Sequence, residues 1–380
     1  MRSTATFLRF AACLIAAGCT VSPVAPTGDV PAYRGNSART GFMAGPGPSA
    51  PVASAWEYQA GAAIGSSPVV VGGNAIVVSA EGTVHAVSLQ TGAAAWTAKL
   101  GAEVGSATPL IIDGLAVVGD EAGVVHALDL ASGTERWQTT IDGPIPGALA
   151  SSRGLVIAAT RTGSAVALKP ASGEVAWRTA LRAGVTRSIA ATDDAAYFAL
   201  DGGWFVALRS ADGVQLWEAR VATDGSGGTP TVAGGLVYAA AGLDTESVAP
   251  ALVALDRATG KERWRYASPQ AAAVYAPAVA DGHAFAVAED GTVVALDAAS
   301  GGTIWTVNSG APNDAPPSLV GATLYVGDTN GSLIAFGTAD GAELWRARIV
   351  GVPYPAVVTH GLVFLGTNAG VLYALGRFVP

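Results

Sequence analysis

The chain has 380 residues, half of them hydrophobic and 13 % charged, with 49 Gly, 21 Pro and a net charge of −8. This composition supports a large core built from short strands and tight turns, and it excludes a disordered chain or a bundle of membrane helices. No run of Lys or Arg exists to track a phosphate backbone, so nucleic acid is not an expected partner.

The first element is an export signal over residues 1–18. Arg2 and Arg9 supply its positive end, and FAACLIAAG (10–18) its apolar core, too brief to span a bilayer. It ends in AAGC, which resembles the bacterial lipobox with Cys19 as the first mature residue. The resemblance implies acyl chains on Cys19 that hold an exported protein at a membrane, each buried methylene contributing about 0.8 kcal/mol. An ordinary signal peptide cut near Gly18 is the alternative. The only other cysteine is Cys13, so the exported body contains no disulfide, no thiolate metal ligand and no cysteine nucleophile. Residues 19–50 are rich in Pro, Gly and Ala: a tether up to about residue 30, then a lead-in expected to pack across the body.

From residue 51 to 380 the chain repeats. Eight of nine tryptophans form a ladder: Trp56, Trp96, Trp137, Trp177, Trp217, Trp264, Trp305 and Trp345, with gaps of 40, 41, 40, 40, 47, 41 and 40. From Trp96 onward each has Gly four positions earlier, from Gly92 to Gly341, and Ala ten positions earlier, from Ala86 to Ala335. The Gly falls in a turn that needs positive φ, the Ala leaves a shallow place on a strand, and the Trp buries a large ring. Each copy carries four strand signals with turns such as Asp281-Gly282 between the first two. Four-stranded antiparallel units at this period are propeller blades.

The last copy has three strands and Ala374 but ends before any tryptophan, whereas Trp56 in AWEYQA has no Ala or Gly upstream. The N-terminal strand around 54–58 therefore completes the C-terminal blade. The expected fold is all-β: an eight-bladed propeller, monomeric, its ring closed by joining the two chain ends.

ALDRATGKERW (254–264) and ALDAASGGTIW (295–305) resemble the blade motif of the PQQ-like, quinoprotein-type propeller family, and the likeness covers about residues 33–380. The segment YRGNSARTGFMAGPGPSAP (33–51) is similar to the lead-in of such proteins. The family includes dehydrogenases that carry pyrroloquinoline quinone (PQQ) and Ca²⁺. It also includes non-enzymatic lipoproteins, among them the propeller subunit of the outer-membrane β-barrel assembly machine. The body departs from the dehydrogenases: it lacks the adjacent-cysteine disulfide, the long insertions between blades and a carboxylate cluster for Ca²⁺. The expectation is thus no catalytic residue, no metal and no PQQ. DTNG (328–331) resembles the start of a calcium loop but lacks the later Glu, and it reads as a hairpin turn. His85 and His126 read as strand side chains, and His283 and His360 as turn residues.

Candidate binding residues come from aligning the position just before each blade's first strand. It is mostly small, but holds Arg187, Tyr275 and Tyr354, types enriched in interaction hot spots. The alternative is that they only fill the channel mouth. The longer fifth repeat places a loop at 241–251 on the same face. Trp204, off the ladder, and Arg182, in the loop before blade 4, complete the set; Trp204 would mark an interface or cover its hairpin. The expected function is that of a membrane-anchored scaffold for envelope proteins, on the periplasmic side of an outer membrane or on an extracytoplasmic surface. A reduced PQQ-dependent oxidoreductase and a glycan-binding surface lipoprotein are the alternatives.

Overall fold

The computed structural model describes residues 28–48, 52–268, 270 and 273–379. The export signal and Cys19 lie outside the described residues. Eight antiparallel sheets of four strands stand around one axis as blades. Blade 1 runs Val69–Val71, Asn74–Ser79, Thr83–Ser88 and Ala94–Lys99, from the axis outward, and the next six repeat this order. Blade 8 takes its inner three strands from Val357–Thr359, Leu362–Gly366 and Val371–Gly376. Its outermost strand is Ser54–Gln59, which pairs antiparallel to Val371–Gly376 with Trp56 opposite Ala374. The two chain ends close the ring.

The repeated residues touch in a fixed way. Each ladder Trp from Trp96 onward lies opposite the Ala of its own blade, as Trp264 does Ala254, beside a register shift that turns the indole toward the next blade. From Trp56 to Trp305 the indole lies on the next blade's repeat Gly and donates its Nε1–H to a carbonyl three residues before that Gly: Trp56 to Leu89 at 2.8 Å, Trp96 to Leu130 at 3.0 Å, Trp305 to Thr338 at 2.9 Å. The Gly is therefore required twice. At Gly301 φ is +73°, and a Cβ would lie 2.6 Å from the Trp264 ring. Asp256 and Asp129 staple their turns, each accepting from a backbone N–H, a hydroxyl and an arginine. These bonds hold both carboxyls down at about 2.

The lead-in fills the channel. It enters beside blade 8, where the carbonyl of Gly28 accepts from the Thr359 hydroxyl, and circles the axis once. The second residue of every innermost strand donates its N–H to it. Val70 bonds Val30, Ile111 Pro31, Ala191 Ser37, Val232 Ala38, Val279 Thr40 and Leu319 Gly41, all through carbonyls at 2.7–3.0 Å. Ser151 uses the Ser37 hydroxyl at 3.0 Å and Val358 the Met43 sulfur at 3.2 Å. Eight exposed inner edges are thereby satisfied by one segment. Phe42–Met43 adds a short parallel strand to blade 7. Pro46 then accepts from Gly361, so the segment leaves on the face it entered.

Two buried cations sit in this hub. Arg34 donates to the Thr231 hydroxyl at 3.1 Å and the Pro277 carbonyl at 2.7 Å. Arg39 donates to the carbonyls of Ile189, Tyr33, Ala148 and Leu149. Neither has a carboxylate partner among the described residues, and burial lowers them to about 10 and about 9. Both take positive φ, 55° and 61°, strain that the surrounding bonds hold in place.

Candidate functional site

The inner strands all begin at one end of the ring, where the connecting loops rise around a funnel of about 750 Å³. Its floor is Tyr33 of the lead-in, and the Arg39 guanidinium lies 5.5 Å from that ring on the hub side. Arg187, Tyr275 and Tyr354 line the funnel together, each on the loop just before an inner strand. Arg187 is exposed and its Nη2 pairs with Asp244 Oδ2 at 3.2 Å. Asp244 sits in the longer loop of blade 5, between Leu236–Ala241 and Ala251–Asp256, and also accepts from Ser226. The inserted residues thus reach the funnel. Burial pushes the Tyr275 phenol up to about 12 and raises that of Tyr354, and the Asp314 carboxylate acts on both in the same direction.

Trp204 and Arg182 lie together but outside the funnel lining. The Arg182 guanidinium stacks 4.2 Å from the Trp204 ring centroid and binds Glu218 through two N–H groups at 2.8 and 3.1 Å. Arg220 approaches the same ring at 5.4 Å. The indole starts a strand, Trp204–Arg209, and a cation already covers it, so the open face a sugar would stack on is occupied.

Three funnel residues escaped the sequence reading. Asp314 stands one position before the aligned column, Tyr33 lies outside the repeat, and Asp244 was visible only as part of an inserted loop. His126 is a buried strand residue with a carboxylate at each ring nitrogen: Asp120 at 3.1 Å from Nε2 and Glu135 at 2.7 Å from Nδ1. The sequence carried a signal for this. Asp120 and Asp328 hold the same repeat position; in blade 7 Arg346 pairs with Asp328 at 3.4 Å, while blade 2 has Gln138 at the arginine's place. Asp328 itself caps its turn by accepting from Asn330 and Ser332 N–H groups.

The funnel does not suit a quinone bearing three carboxylates. It is lined by Asp201, Asp224, Asp244 and Asp314 against Arg161 and Arg187, and both arginines are already paired with acids. Among the described residues no group of three or more His, Cys, Asp or Glu could hold a metal ion, and no helix is long and apolar enough to cross a membrane.

Fold and funnel together define a PQQ-like propeller with regular blades. The family model described as outer membrane protein assembly factor BamB matches residues 53–145, 121–242, 202–315 and 289–377, and the chain belongs to this family. A curated relative, the outer membrane protein assembly factor BamB of Nitrosomonas eutropha, is 31 % identical over 104 residues, 27 % of this chain and 25 % of that protein. The chain thus aligns with about a quarter of that relative's length. BamB from Moraxella catarrhalis has the same fold at a TM-score of 0.69 and 21 % identity, covering 86 % of this chain and 98 % of that one. The quinohemoprotein alcohol dehydrogenase of Comamonas testosteroni superposes at 0.73 with 16 % identity, over 93 % and 81 %.

Proposed function

We propose that the protein is a non-enzymatic lipoprotein of the cell envelope, anchored through Cys19, whose funnel face binds envelope proteins during outer-membrane protein assembly. The observation that carries this reading is the match of the BamB-type family model along 53–377, over blades without the insertions that would roof a catalytic funnel. Arg187, Tyr275 and Tyr354 on one rim support a docking face. The position of the lead-in supports an orientation. Gly28 enters beside Thr359, at the end opposite the funnel, and the nine residue steps that separate it from Cys19 reach at most about 30 Å. The hairpin end then faces the membrane and the funnel faces partners.

A photo-crosslinker placed at position 187 in cells tests the reading. Crosslinks to envelope assembly proteins are expected, together with release from the membrane fraction in Cys19→Ala; a Cys19→Ala protein that stays in the membrane refutes the anchor. We propose further that no cofactor is required. Titration of the purified protein with PQQ and Ca²⁺ should give neither tight binding nor dye-linked alcohol oxidation, and activity above a protein-free control would reverse the reading.

A further inference from the structure

The funnel wall near Asp314 has the makings of a site for a positive charge. Asp314 lines the cavity on the loop before the first strand of blade 7, and no hydrogen-bond donor engages its carboxylate among the described residues. Arg187, the cation that acts on it, is held by Asp244. Tyr275 and Tyr354, from the blades on either side, line the same wall, and two aromatic faces beside a carboxylate suit an ammonium or guanidinium. A second, independent feature points to an occupant. Ser66 lines the same cavity, is 3 % exposed, and its Oγ has no partner. A buried hydroxyl left unpaired is unfavourable, and a guest bearing an N–H or C=O would relieve it. The hub arginines are not among the charges that act on Asp314, where Arg187 is the cation felt.

We propose that the funnel seats a cationic side chain, Arg or Lys, presented by a protein segment that docks on the funnel face, with Asp314 as its counter-ion and Tyr275 and Tyr354 as its flanks. This rests on the scaffold reading and names the chemistry the partner brings. Partial desolvation raises the Asp314 carboxyl, as expected of a carboxylate that lacks its cation.

The test is calorimetry of the purified full-length protein, at low ionic strength, with the peptide acetyl-Gly-Arg-Gly-amide and its citrulline analogue. The arginine peptide should bind at least tenfold more tightly than the neutral one, and salt should weaken it. Asp314→Asn should abolish that preference while leaving the unfolding midpoint unchanged, since no intramolecular partner is lost. Asp113→Asn removes the same charge from the hairpin end and should bind as wild type. Equal binding of the two peptides, or an Asp314→Asn protein that still prefers arginine, overturns the site. The position-187 crosslinks read the scaffold separately: their retention with no peptide preference removes the cation seat alone, and their loss removes the scaffold.

Discussion

Gly301→Ala separates the two reasons for the ladder glycine. At φ +73° an L-residue costs about 1–2 kcal/mol, offset by about 0.4–1 kcal/mol from a stiffer unfolded chain. Gly282, in the same blade at φ +76°, has nothing within 4 Å of a built Cβ, so Gly282→Ala carries this backbone cost only, about 1 kcal/mol. At Gly301 the methyl would also lie 2.6 Å from the Trp264 ring, which is 8 % exposed and has Tyr238 of its own blade at 5.7 Å between ring centroids. The indole must retreat by close to 1 Å, weakening its 3.1 Å bond to the Ala298 carbonyl, a loss of about 1 kcal/mol, and disturbing its packing by about 1–2 kcal/mol more. Gly301→Ala should therefore unfold at lower urea than Gly282→Ala, by about 2–3 kcal/mol, with a red-shifted tryptophan emission in the folded protein. Equal midpoints for the two variants would refute the claim that the indole, and not φ alone, selects glycine.

Three further outcomes follow from the same contacts. Asp129 and Asp256 have folded-state pKa values of about 2, below the ordinary carboxyl range, so the stability they contribute is complete above about pH 4 and lost as pH falls toward 2. Asp129→Asn with Asp256→Asn should flatten that part of the acid unfolding curve and leave the slope above pH 5 unchanged. Arg39→Met leaves buried carbonyls without the guanidinium that now serves them, each costing about 1–3 kcal/mol, and should lower the urea midpoint, with no rescue by Arg39→Lys, whose ammonium cannot match the planar fork. Trp96→Phe removes a donor to the Leu130 carbonyl, whereas the described residues offer Trp345 no such acceptor. Trp345→Phe should thus cost about 1 kcal/mol less by the same measurement.

The blades were legible because one constraint acts seven times. Wherever an indole leaves one blade, the next must offer Gly in its turn, so Trp, Gly and Ala stay in step from Ala86 to Trp345. The sequence could not say why Gly was needed beyond its φ, because the ring it meets belongs to the preceding copy, Trp264 for Gly301, 37 residues earlier. The hub was legible only in outline. Its partners are eight residues spread from Val70 to Val358, and it meets them with unrelated groups: carbonyls, a serine hydroxyl and a thioether. Arg34 and Arg39 look like solvent cations in a Gly-rich lead-in, and only the closed ring makes them buried. The same holds in the funnel. Aligning repeats found Arg187, Tyr275 and Tyr354, since they break a small-residue column, but Tyr33 belongs to no repeat. Arg182 and Trp204 were picked out separately; their stacking depends on Glu218 fixing the guanidinium from the strand Gln215–Arg220 beside that of Trp204.

Hub and closing strand are one continuous stretch, and this gives the hub a testable role. The segment that follows Gly28 bonds all eight inner strands and then, at Ser54–Gln59, completes blade 8. Any pull on the chain at Gly28 is therefore shared among the blades before it reaches the closing strand. Removing residues 28–48 would leave each inner strand with an N–H pointing at an empty axis. Were all eight left dry, each would cost about 1–3 kcal/mol, more than a protein of ordinary stability can lose. Water entering the channel would recover much of that, so the ring should persist, weakened by several kcal/mol. The decisive measurement is amide hydrogen exchange. Val70, Ile111, Ala191, Val232, Val279 and Leu319 should lose protection together in the deletion variant, while outer-strand amides such as those facing Trp96 and Trp305 keep theirs. Unchanged protection at those six inner positions would mean that the blades satisfy their own edges and that the lead-in is only a passenger in the channel.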